Sequence, residues 1–101
     1  MLLKDLISRK KVLSDLLKEI PNSLLNHNVN GISADSKKIK KDFIFVAIKG
    51  EKFDGSDFIL EAKENGAFLI IENNSDNDDV ISTNKVSTRL IYTELLASFY
   101  D

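Results

Sequence analysis

Few side chains in this sequence could do chemistry, and their spacing narrows what that chemistry is. Catalysis by acid-base or nucleophilic routes needs a nucleophile, a base and an orienting group within hydrogen-bond reach of one another. With no cysteine and one histidine, the chain cannot build a thiol nucleophile, a disulfide framework or a Cys/His zinc site. The one imidazole, His27, lies among asparagines in an expected turn and reads as a solvated surface side chain. Asp76, Asp78 and Asp79 offer hard oxygen ligands but lack the spaced ligand-and-glycine pattern of a calcium loop, so no metal is expected. Gly50, Gly55 and Gly66 are not followed by the Gly-Lys-Ser or Gly-Lys-Thr of a phosphate loop, which leaves ATP no seat. No catalytic residue is expected. What remains is Asp35-Ser36 followed by Lys37, Lys38, Lys40 and Lys41. That stretch is either a solvated basic turn or a polar turn whose hydroxyl and main-chain N–H groups meet an anion at a strand end.

The elements that must position this turn fit in one domain, because 101 residues is close to the ~100 to 150 typical of a single folding unit. At 43% hydrophobic and 30% charged, the composition supports one core and lies far from that of disordered chains. A net charge of -2 provides no positive field for a nucleic-acid backbone or an anionic membrane, so neither partner is expected. No apolar run reaches the ~20 residues of a membrane span, and charge at Lys4 and Asp5 interrupts any signal-peptide core. The expected compartment is the cytoplasm.

Leu2, Leu3, Leu6 and Ile7, then Val12, Leu13, Leu16, Leu17 and Ile20, repeat at helical spacing. This fits either one rod or two pieces, with Ser14-Asp15 able to start the second. Pro21 ends the run, and the asparagine-rich stretch 22–30 reads as turns. Phe43 to Ile48 is an unbroken apolar run, suited to a strand buried on both faces. Asp57 is placed to cap a helix burying Phe58, Ile59 and Ala62, and Asn65-Gly66 supplies a left-handed stop. Ala67 to Ile71 is a second strand, making residues 43–71 a βαβ unit with Phe45, Val46, Ile48, Leu69 and Ile70 in the core. Residues 72–79 read as a solvated loop and Val80-Ile81 as the start of a short strand. Leu90, Ile91, Leu95, Leu96 and Phe99 mark a final helix. The fold class is α/β: a small sheet with flanking helices.

Three segments in fixed order carry a family likeness: Gly31-Ile-Ser-Ala-Asp-Ser-Lys-Lys-Ile39, Phe45-Val-Ala-Ile-Lys-Gly-Glu-Lys-Phe-Asp-Gly55, and Asp57-Phe-Ile with Ala62-Lys-Glu-Asn-Gly-Ala67. Together they resemble the N-terminal domain of the Mur ligases, the ATP-dependent amide-forming enzymes that build the peptidoglycan stem peptide. The likeness is strong over 29–72 and weaker toward both ends. It is greatest to the branch that extends UDP-N-acetylmuramoyl-dipeptide (MurE type), with the D-Ala-D-Ala-adding branch (MurF type) close.

The resemblance implies that residues 1–101 form the domain holding the UDP end of the nucleotide-sugar substrate. Ser36 matches the serine of the family's Asp-Ser-Arg motif, whose hydroxyl and neighbourhood contact the diphosphate, and Ala34 matches a main-chain contact to the nucleotide. Glu51, Lys52 and Phe53 match the loop lying against the uridine. Three departures from the family pattern stand out: Lys37 replaces the motif's arginine, Lys41-Asp42-Phe43 stands where the family has Pro-Gly-Asp, and Glu51-Lys52-Phe53 is one of several variants at a tolerant loop. The chain ends where the family continues into a Gly-Thr-Asn-Gly-Lys-Thr phosphate loop, so the ATP-binding and C-terminal domains are expected to be missing. ATP and Mg2+ are expected for the full-length ligase and no cofactor for this domain, which is expected to be inactive alone. The expected partners are UDP-N-acetylmuramoyl-dipeptide and the remaining ligase domains. A stand-alone α/β binding module without catalysis is the alternative.

Overall fold

The computed structural model describes residues 1–49, 54–73, 80–83 and 87–100. Four strands, β1 (Gly31–Ser33), β2 (Phe43–Ala47), β3 (Leu69–Asn73) and β4 (Ile81–Thr83), form one sheet in the order β1-β2-β3-β4. All three pairings are parallel, with Ile32 opposite Ile44, Phe45 opposite Ile70 and Ile71 opposite Ile81. Parallel strands need crossovers, and crossovers of one hand in a sheet that advances in one direction fall on the same face. Helix α3 (Ile59–Asn65) and the 3-10 turn Ser36–Lys38 do so, as Ile39, Ile59 and Ala62 cluster with Phe45, Ala47 and Ile70. The opposite face is left for the two ends of the chain. Helices α1 (Leu3–Ser8), α2 (Lys11–Ser14) and α4 (Thr88–Tyr100) cover it, packing Leu3, Leu6, Leu13, Ile91 and Leu95 on Ile44, Val46, Leu69 and Ile71.

This α/β sheet with its βαβ unit matches the sequence expectation, and Phe45, Val46, Leu69 and Ile70 are buried. Ile48 lies one residue past the end of β2 and is half-buried. The second strand begins at Leu69 instead of Ala67 and runs on through Glu72 and Asn73, so these two residues are not loop. The N-terminal run is broken, with the break at Arg9-Lys10 instead of Ser14. Lys10 is extended (φ -124°, ψ 129°), and Ser14 caps nothing, donating its hydroxyl back to Lys11 O at 2.7 Å. From Asp15 the chain tightens into a 3-10 turn, Asp15–Lys18.

The N-terminus of α1 carries no side-chain cap; the N–H groups of Leu3 and Lys4 donate instead to His27 O and Leu25 O, both at 2.9 Å. Ser98 on α4 donates its hydroxyl to Leu6 O at 2.7 Å, and Arg9 donates to Ser98 O at 3.1 Å, fastening α4 to the end of α1. Leu90, one of the residues that mark the helix in the sequence, is 42% exposed, because the buried stripe of α4 runs through Ile91 and Leu95.

Candidate functional site

In parallel α/β sheets, loops at the carboxyl ends of the strands gather side chains from neighbouring connections. Here the turn after β1 and the segment after β2 emerge from adjacent strands at that edge. Both turns are built the same way. After β1, Asp35 accepts the N–H of Lys37 at 3.0 Å and caps the 3-10 turn Ser36–Lys38. After β2, Asp54 accepts the N–H of Ser56 at 2.9 Å and caps the 3-10 turn Gly55–Phe58, which runs into α3. The cap before α3 is therefore Asp54, not Asp57, because the chain enters the helix through a tight turn that starts three residues earlier. The Ser56 N–H bond, helped by the charge of Lys49, holds the Asp54 carboxyl below the usual aspartate value.

The second turn is pinned to the end of β2. Gly55 N donates to Ile48 O at 2.9 Å, and a β-carbon at Gly55 would stand 2.5 Å from the Ile48 main-chain nitrogen, so no side chain fits there. Ser56 donates its hydroxyl to the Glu72 carboxylate on β3.

Ala34 is half-buried in the turn after β1. Ser36 is only 4% exposed, and its hydroxyl donates to Glu61 Oε1 on α3 at 2.5 Å. Asn65, one helical turn further along α3, donates to Ser36 O at 2.9 Å. Lys37, Lys38, Lys40 and Lys41 are all exposed. The structure thus places Ala34 and Ser36 together at the sheet's carboxyl edge, whereas Glu51, Lys52 and Phe53 lie outside the described residues, as do Asp76, Asp78 and Asp79. Sequence reasoning missed Glu61 and Asn65. Their four-residue spacing within the helix that ends at Gly66 was the available signal, since it puts both on one helical face.

At the opposite edge of the sheet, His27 is not the solvated side chain expected. Its ring stacks on Phe68 at 3.9 Å between centroids, and its Nε2 lies 2.8 Å from Asp42 Oδ1. Asp42 has φ +66°, the left-handed region, at the position where the family motif carries glycine. Aspartate tolerates that region better than most residues, and here its carboxylate also gains the histidine. Among the described residues, no group of three His, Cys, Asp or Glu side chains could hold a metal. No helix among them is long and apolar enough to cross a membrane.

A family model described as "Mur ligase family, catalytic domain" matches residues 28–97. The chain is 39% identical over 80 residues to UDP-N-acetylmuramoyl-L-alanyl-D-glutamate--2,6-diaminopimelate ligase 2 of Clostridium acetobutylicum, covering 79% of this chain and 17% of that protein. It is 44% identical over 78 residues to the corresponding ligase of Rickettsia prowazekii, covering 74% of this chain and 16% of that one. The crystal structure of MurF ligase from Thermotoga maritima in complex with ADP superposes with a TM-score of 0.53 at 34% identity, over 63% of this chain and 15% of that one. The chain therefore spans about a sixth of the length of the curated relatives it matches. With the family model covering most of the described sheet and its turns, and the motifs at 29–72 agreeing with it, the chain belongs to the Mur ligase family.

Proposed function

We propose that this chain is the N-terminal domain of a peptidoglycan stem-peptide ligase and binds the UDP end of UDP-N-acetylmuramoyl-dipeptide. The observation that carries this reading is the family match over residues 28–97, which takes in both capped turns at the carboxyl edge of β1 and β2. Ala34 and Ser36 present the first turn to the diphosphate, and Glu51, Lys52 and Phe53 are assigned to the uridine by their match to the family's uridine loop. A nucleotide needs polar donors for its phosphates and a partly apolar ledge for its base, and these two segments offer both. The relatives named above add diaminopimelate, which favours a parent of that type. The likeness to MurF structures keeps the D-Ala-D-Ala-adding branch as the second reading.

In the full-length ligase, other domains supply ATP, Mg2+ and the amide-forming chemistry, and the enzyme works in the cytoplasm. The sequence carries no Gly-Lys-Ser or Gly-Lys-Thr of a phosphate loop. With ATP, Mg2+, UDP-muramoyl-dipeptide and diamino acid it should release no phosphate above a blank.

Binding is tested by ligand-observed saturation transfer with UDP, UMP and uridine. A small site with a few charge-assisted hydrogen bonds gives a Kd of ~0.1 to 1 mM for UDP. Affinity should fall from UDP to UMP to uridine as phosphate contacts are removed. Equal signals from all three, or none, would contradict the reading.

A further inference from the structure

The hydroxyl assigned to the diphosphate by family likeness is already used inside the protein. We infer that Glu61 and Asn65 are positioning residues for the nucleotide-binding turn, and that Ser36 serves the site through them instead of touching the diphosphate with its hydroxyl. This inference rests on the UDP-binding reading above.

Ser36 is 4% exposed, so its hydroxyl is turned inward. That hydroxyl has one proton, and it is donated to Glu61 Oε1 at 2.5 Å. The Ser36 carbonyl is held separately by Asn65 Nδ2 at 2.9 Å. One face of α3 therefore grips a single residue of the turn at two points, side chain and main chain. Ser33 adds a third restraint, its hydroxyl accepting from Asp35 N at 2.9 Å and donating to Asp35 O at 3.2 Å. A phosphate oxygen seeking the Ser36 proton would have to displace a carboxylate of the same charge. What the gripped turn leaves for an anion is the exposed Lys37 and Lys38, since the N–H groups of Asp35, Lys37, Lys38 and Ile39 already donate within the protein.

The experiment has a ligand-free arm and a ligand arm, both read from amide spectra of the labelled chain. Without ligand, Glu61→Ala and Asn65→Ala should move the amides of residues 34–39, while those of Leu69–Asn73 stay in place and report an intact sheet. Glu61→Gln, which keeps an acceptor oxygen, should leave the turn near its original shifts. Unmoved turn amides in Glu61→Ala would overturn the latch whatever UDP does.

With UDP, Glu61→Ala should weaken binding about fivefold, the loss expected for one hydrogen bond of this kind. Glu61→Gln should bind at least as tightly as the unaltered chain, because the latch stays and a negative charge leaves. The double variant Glu61→Ala/Ser36→Ala should match Glu61→Ala within about twofold, as residues acting through one contact are not additive. Tighter binding by Glu61→Ala would mean that Glu61 competes with the phosphate. Multiplied losses in the double variant would mean that Ser36 meets the diphosphate directly. Either result overturns the inference. If the unaltered chain shows no UDP shifts, the binding reading falls and the positioning role with it, while the ligand-free arm still decides whether the latch exists.

Discussion

His27 shows how far a residue's role depends on neighbours distant in sequence. Its asparagine-rich surroundings suggested a solvated side chain, yet Asp42 and Phe68 converge on it from the turn before β2 and the start of the β3 segment. The cluster joins the N-terminal third of the chain to the sheet. Replacing His27 by Ala should cost about 1 to 2 kcal/mol, a ring stack plus one hydrogen bond, read from a urea titration. Asp42→Gly suits the left-handed backbone and removes only the acceptor, so its loss should be smaller. A His27→Ala chain as stable as the original would show that the cluster holds nothing together. Asp54 gives a pH signature at the same scale. Its carboxyl is held below the usual value, so the cap contributes fully above that value and is lost as pH falls through the lowered one. The Ser56 amide should hold its shift down to the ordinary aspartate range and move only below it. A midpoint above that range would contradict the cap.

Among the elements, β2 is the one on which both layers depend. Phe45 is fully buried on the α3 face, and Ile44 and Val46 are fully buried on the other. Phe45→Ala should cost roughly 3 to 5 kcal/mol in a denaturant titration, a large share of a small domain's margin. A loss below about 1 kcal/mol would contradict a strand buried on both faces. This element was legible because an unbroken apolar run of strand length has few alternatives, and so was the stop at Gly66, which has φ +118°. Strand β1 was not legible as a strand from its pattern. Gly-Ile-Ser has no alternation long enough to read, and it becomes a strand only because β2 offers a parallel partner. The cap at Asp54 was not legible, because a 3-10 entry turn leaves no periodic trace. In the site, Asp35 and Ser36 were visible as types, but Glu61's hold on Ser36 is a contact across 25 residues that no local pattern encodes.

For the whole molecule, the sheet order explains why the two chain ends matter as much as the middle. A parallel sheet with α3 and the Ser36–Lys38 turn on one face must have its other face covered, and α1, α2 and α4 do this together, locked by the Ser98 and Arg9 bonds. The carboxyl edge is thereby held on a rigid base, with two aspartate-capped turns side by side. The most direct test of the binding claim is an amide-shift titration of the labelled chain with UDP. Shifts confined to residues 33–37 and 50–55, saturating with a Kd of ~0.1 to 1 mM, are the expected result. If those amides stay still at several millimolar UDP while His27 or residues 76–79 move, the site lies elsewhere and the account is wrong.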